Sequence, residues 1–119
     1  MSDDPVTFDS VLDLCRHQHR RTVLVALAEE RAPVTLDELT RRIVEYDDRS
    51  ARRMSADGVS EDVRISLLHV HLPKLASEGF VTHDRDRQVV EPTERFERAR
   101  PTVSRVLAAD PALKTPIEP

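Results

Sequence analysis

Ser60, Arg64, His69 and His71 lie along one stretch of chain whose apolar residues Ile65, Leu68, Leu72 and Leu75 are spaced three, four and three apart. That spacing predicts a helix, and an arginine one turn after its serine start can hydrogen-bond a nucleic-acid base edge or a phosphate. The alternative for Arg64 is an intrahelical ion pair with Glu61 or Asp62. His69 and His71 are two residues apart, so a regular helix points them to different faces, one packed and one solvated, where they cannot share a metal ion. Arg85 and Arg87 alternate with Asp84 and Asp86, which makes either a phosphate-contacting tip or a self-neutralised exposed turn. Arg49, Arg52 and Arg53 sit among Asp47, Asp48 and Asp57, again either a phosphate clamp built from bidentate guanidinium contacts or a solvated loop. The segment Cys15-Arg16-His17-Gln18-His19 brings soft and borderline ligands together. Cys15 also completes the apolar stripe Phe8, Val11, Leu12, so it reads as a core residue, and no metal or cofactor is expected. No nucleophile elbow, metal-ligand helix motif or phosphate loop gathers the serines, histidines and aspartates, so no enzyme is expected.

The chain that must position these groups has 119 residues, enough for one domain. Hydrophobic residues make up 39% and charged residues 34%, so the core is small and must be efficiently patterned. Two glycines and four aromatic residues exclude a glycine-rich nucleotide cradle and a base-stacking platform. A single cysteine excludes an internal disulfide and suits a reducing compartment, and the longest apolar run, Val23 to Ala28, is too short to span a bilayer. The expectation is a cytoplasmic protein without membrane contact. The net charge of −4 is carried by Asp3, Asp4, Asp9 and Asp13, while residues 14–119 hold 18 acidic and 18 basic side chains. A near-neutral body lacks the basic field that advertises nucleic-acid binding, but in molar salt the Debye length falls to about 3 Å and local contacts must carry recognition anyway. Sixteen arginines against two lysines fit either a GC-rich genome or a salt-adapted chain.

Apolar periodicity predicts a first helix from residue 7, capped by Thr7 or Asp9, and a second from about 19 to 30 with Arg20 and Arg21 solvated. Thr35 followed by Glu38 predicts a capped third helix burying Leu36, Leu39, Ile43 and Tyr46. Residues 47–59 lose the period and read as a loop. A fourth helix from Ser60 to Glu78 follows, kinked or tightened at Pro73 and stopped by Gly79. Residues 80–83 and 88–91 form a hairpin around the charged turn. Residues 94–108 make one bent or two short helices around Pro101, and residues 1–6 and 110–119 read as disordered ends.

The fold class implied is mainly α with a small β-hairpin: a winged helix-turn-helix over residues 7–93, with a three-helix core, a wing, and additional helices at both ends. The stretches Arg20–Leu27, Val34–Leu39, Leu68-His69-Val70-His71-Leu72-Pro73-Lys74-Leu75 and Gly79-Phe80-Val81 resemble haloarchaeal winged-helix domains of uncharacterised function, which are distantly similar to ArsR-type transcription regulators. The resemblance covers about residues 8–95. It implies an archaeal, halophilic transcription regulator that binds double-stranded DNA as a homodimer. Helix 60–78 would read the major groove, the hairpin 80–91 would act as a wing, and Ser60, Arg64, His69, His71, Arg85, Arg87, Arg52 and Arg53 would make the contacts. The paired cysteines of metal-sensing regulators are absent, so soft-metal sensing is not implied. The first helix and residues 94–109 carry apolar side chains that one small core need not absorb, which suits a dimer interface. The near-neutral, mixed-charge surface suits the alternative, a winged-helix module that binds a protein of the transcription machinery without touching DNA.

Overall fold

Thr7 opens helix α1, Phe8–Leu14, by accepting the Ser10 N–H on its hydroxyl at 3.0 Å. The computed structural model describes residues 6–30, 32–50, 56–111 and 113, and of 47–50 and 56–59 the backbone alone. A tight corner leads into α2, Gln18–Glu30, whose residues Thr22–Ala28 are all buried. Arg20 differs from its expected solvated place: it is 7% exposed, with Nε donating to the Leu14 carbonyl at 2.8 Å and Nη2 to the Asp13 carbonyl at 3.2 Å. The last carbonyls of α1 have no intrahelical partner, and a guanidinium folded back onto them meets that need. Arg21 works likewise on the carbonyls of Cys15 and Arg16, and its Nε pairs with Asp110 at 2.8 Å.

Val34–Thr35 form β1, a two-residue strand that runs directly into α3, Leu36–Ser50. The Thr35 hydroxyl accepts the Glu38 N–H at 3.1 Å, so the expected cap exists. The Glu38 carboxylate turns instead to Arg41 and Arg42. Helix α3 extends through residues 47–50 and α4, Ala56–Ser66, begins four residues ahead of Ser60, so helix occupies most of the expected loop. Apolar period marks which residues a sequence can bury, not how far the backbone ladder continues, and residues outside that period can prolong a helix without signalling it.

Beyond α4 the ladder widens into a π turn, Leu67–His71, in which the Leu72 N–H bonds the Leu67 carbonyl, and α5, Leu72–Ser77, follows. The kink or tightened turn expected at Pro73 is instead a widening, set in the turn just before the proline that lacks an N–H. At the end of α5, Gly79 at φ +81° donates to the Ala76 carbonyl and Phe80 N–H to that of Leu75. These are the two bonds of a Schellman stop, for which the left-handed residue is glycine.

Strands β2, Val81–Asp84, and β3, Val89–Pro92, make the hairpin, and β1 adds to the other edge of β3 to give the antiparallel order β1-β3-β2. The register pairs Val34 with Val90 and His83 with Val90 across the central strand. Thr93 then caps α6, Glu94–Leu107, a single helix that contains Pro101. The protein is thus mainly helical with a small three-stranded sheet, in an element order compatible with a winged helix. The core runs from Val11 and Leu14 through Leu24, Leu36, Ile43, Leu67 and Leu75 to Phe80, Phe96 and Leu107, all at most 1% exposed. Phe80 and Phe96 meet edge to face with centroids 5.9 Å apart.

The C-terminal helix corrects one expectation: Phe96, Ala99, Val103 and Leu107 are absorbed into the core, so α6 offers little apolar surface to a second copy. Phe8 and Leu12 on α1 do stay exposed, at 59% and 41%. Of the ends expected to be disordered, Val6 and Leu113 pack against the core and Asp110 accepts the Tyr46 hydroxyl at 2.6 Å. Residues 1–5, 112 and 114–119 lie outside the described residues. No helix among the described residues is long and apolar enough to cross a membrane.

Candidate nucleic-acid interface

The continuous rod α4–π–α5 has an outer side formed by Glu61, Asp62, Ile65, His69, Val70 and Pro73, all exposed. Ile65 and Val70 are 48% and 53% exposed, uncommon for large apolar side chains in this molecule. Behind the rod the hairpin carries Arg85 and Arg87 into solvent, with Arg87 held loosely by Asp84 at 3.7 Å. The turn closes on Gln88 at φ +56°, a left-handed conformation that non-glycine residues rarely adopt.

The sequence-predicted residues divide into four groups. Arg85, Arg87 and His69 reach solvent as expected. Ser60 and Arg64 are half-buried at the edge of the outer side, where they line an open cleft of about 450 Å³ between α3 and α4 with Asp37 and Glu45, and Glu61 stands on the border between cleft and outer side. Arg64 forms a salt bridge with Asp37 and donates to Gln88 Oε1 at 3.0 Å, so it ties α3, α4 and the wing together; its expected intrahelical partners Glu61 and Asp62 are not the ones it takes. His71, expected at the interface, is instead 3% exposed and faces inward, where the widened turn delivers it against α2. Arg52 and Arg53 lie outside the described residues.

The inner side of the rod holds what sequence spacing alone missed. The rings of His17 and His71 lie 4.3 Å apart, those of His17 and His19 5.0 Å, and those of His19 and His71 5.8 Å. The His19 N–H donates to His17 Nδ1 at 3.1 Å and so holds that ring against the corner between α1 and α2. Burial, with His17, His19 and Arg20 adding to it, pushes His71 down to about 4, so its ring is neutral at physiological pH. Cys15 stands apart as a core residue, its thiol pushed up to about 11 by burial against the opposing pull of Arg21 and Arg20. The signal available beforehand was the His-x-His pair at a helix start. Its partner, more than fifty residues away, is a tertiary contact that spacing cannot reveal.

The model of a family described as a domain of unknown function, DUF7344, matches residues 12–91. The chain belongs to this family. The DUF7344 match spans the rod, the wing and all three clustered histidines, and ends within β3, ahead of α6. No curated protein and no solved structure matches the chain.

Proposed function

We propose that this DUF7344 domain is a transcription regulator that docks on duplex DNA, with the rod in the major groove and the wing tip on the phosphate backbone. The observation that carries this role is the combination of a rod whose outer residues are exposed from Glu61 to Pro73 with a ribbon directly behind it that sets Arg85 and Arg87 in solvent. Positioning and specificity then fall to different residues. Arg85 and Arg87 supply phosphate contacts, which fix register and carry no sequence information. Glu61 and Asp62 can accept from the cytosine amino group, and Ile65 and Val70 can pack on thymine methyls, the readouts that acidic and apolar side chains make in a major groove. Arg64 is a brace in this arrangement and not a base reader. With so few cations offered, affinity should depend only weakly on salt, since each neutralised phosphate contributes about 0.9 to the slope of log affinity against log salt. A homodimer, with Phe8 and Leu12 of α1 at its centre, would present two rods about 34 Å apart.

A second role is favoured by one observation: the outer side joins two carboxylates to two exposed aliphatic side chains, a composition that also fits a basic, apolar protein segment. Selection from a random-sequence duplex pool separates the two. For DNA docking, successive rounds enrich a palindromic sequence, and the double variant Arg85→Ala, Arg87→Ala binds it more weakly with a salt slope flatter by about 2 per protomer, one per arginine. Thermal melting checks that the variant is folded. A pool with no sequence enriched over input removes the DNA role and leaves the protein partner.

A further inference from the structure

We propose that His17, His19 and His71 form a binding site for a late first-row divalent metal ion, Zn²⁺ foremost. One ring nitrogen from each of the three histidines lies within 4.8 Å of the other two, an opening that a modest inward turn of the rings closes to tetrahedral spacing. Three imidazoles without a thiolate or carboxylate suit Zn²⁺, Ni²⁺, Cu²⁺ or Co²⁺ and not the hard ions Mg²⁺ and Ca²⁺. The fourth position is left to water or an incoming ligand, as in three-histidine zinc sites.

The backbone builds this cluster from two places. His17 and His19 flank the first residue of α2, and His71 closes the π turn, an irregularity that recurs at functional sites because it re-aims a side chain within a helix. His71 is 3% exposed while His17 is exposed, so the cluster has a buried floor and an open mouth through which an ion can enter. The Arg20 guanidinium stands beside the cluster, 3.4 Å from His71 Nδ1. That contact is loose, and the firm bonds of the guanidinium go to the carbonyls of Leu14 and Asp13. At His71 an ion therefore competes only with this loose contact, though the adjacent positive charge holds its affinity below that of a thiolate site. Bound there, the metal cross-links the corner between α1 and α2 to the centre of the rod. This site does not depend on the DNA role, and either can fail without the other.

The test uses the tag-free full chain, stripped with a chelator and titrated with Co²⁺ alone while the visible ligand-field band is followed. Competition by Zn²⁺ then gives its affinity. The expected result is one equivalent per chain with a band of tetrahedral intensity. His17→Ala and His19→Ala each weaken Zn²⁺ binding by about 100-fold or more, since losing an outer-shell partner already costs about 10–100-fold and losing a ligand costs more. His71→Ala should abolish binding. Because that residue is buried, the two partly exposed histidines carry the decision if the variant misfolds, with circular dichroism as the check. His69→Ala, two residues away on the outer side, should bind as the wild type does. No saturable band with wild type, or unchanged affinity in both His17→Ala and His19→Ala, overturns the site.

Discussion

The two sides of the rod are built on opposite terms. Inward, Val63, Leu67, His71, Leu72 and Leu75 are all at most 4% exposed and reach α2, α3 or the hairpin. Outward, Glu61, Asp62, Ile65, His69 and Val70 are exposed, and ion pairs tie the rod at its edges, Arg64 to Asp37 and Lys74 to Asp13. One helix thus shows which of its residues the fold requires and which it leaves available for recognition. The widened turn at Leu67–His71 sharpens the division, because it brings both His71 and Leu72 inward while Val70 stays out.

The largest expected effect lies on the inner side. Leu67→Ala should cost about 3 kcal/mol in chemical denaturation, since a fully buried leucine leaves a cavity beneath the π turn. Next comes Arg20→Ala, expected to lose about 2 kcal/mol because it strips buried donors from two carbonyls at the end of α1. Gly79→Ala, at the joint between rod and wing, should cost about 1–2 kcal/mol, for φ is +81° and the new Cβ would stand 2.9 Å from Arg95 Cδ. Arg64→Ala is expected to cost less than about 1 kcal/mol, the usual worth of a partly exposed ion pair. Were it to match Arg20→Ala, the division between the two sides would break, because the outer edge would be as structural as the core. Smallest of all, Ile65→Ser and Val70→Ser should leave stability within about 0.5 kcal/mol while weakening binding to whatever the outer side recognises, and calorimetric melting beside a binding assay reads both.

The same division explains what could be read from the chain beforehand. Apolar spacing located α1, α2, the start of α3, the rod and the hairpin, because each must bury one face and therefore shows a period. Thr7, Thr35 and Gly79 marked boundaries because capping is a local hydrogen-bonding problem with few solutions. Strand β1 was invisible: two residues carry no alternation, and Val34–Thr35 are extended only because the free edge of β3 pairs with them. Helical spacing separates a packed from a solvated histidine but does not say that His71 is the packed one, and the disturbance expected at Pro73 lies a turn earlier, where the ladder widens over Leu67–His71. Arg20 looked solvated because a long cation on a helix usually is, whereas its place is set by carbonyls that another helix leaves unmet. The candidate interface was legible only in its most exposed parts, Arg85, Arg87 and His69. Whether Arg64 faces outward depends on Asp37 and Gln88, from two other elements.

The DUF7344 match ends at residue 91, yet the molecule cannot be trimmed there. Thr93 donates its hydroxyl to the Gly79 carbonyl at 2.6 Å, Arg95 donates to that of Glu78 at 2.9 Å, and Arg100 to that of Ala28 at 2.7 Å, so α6 finishes the ends of both α5 and α2 while Phe96 backs Phe80. A fragment cut after Glu91 would bare an aromatic side chain and three carbonyls at once. Anyone grafting residues 12–91 onto another protein must carry residues 92–107 along with them.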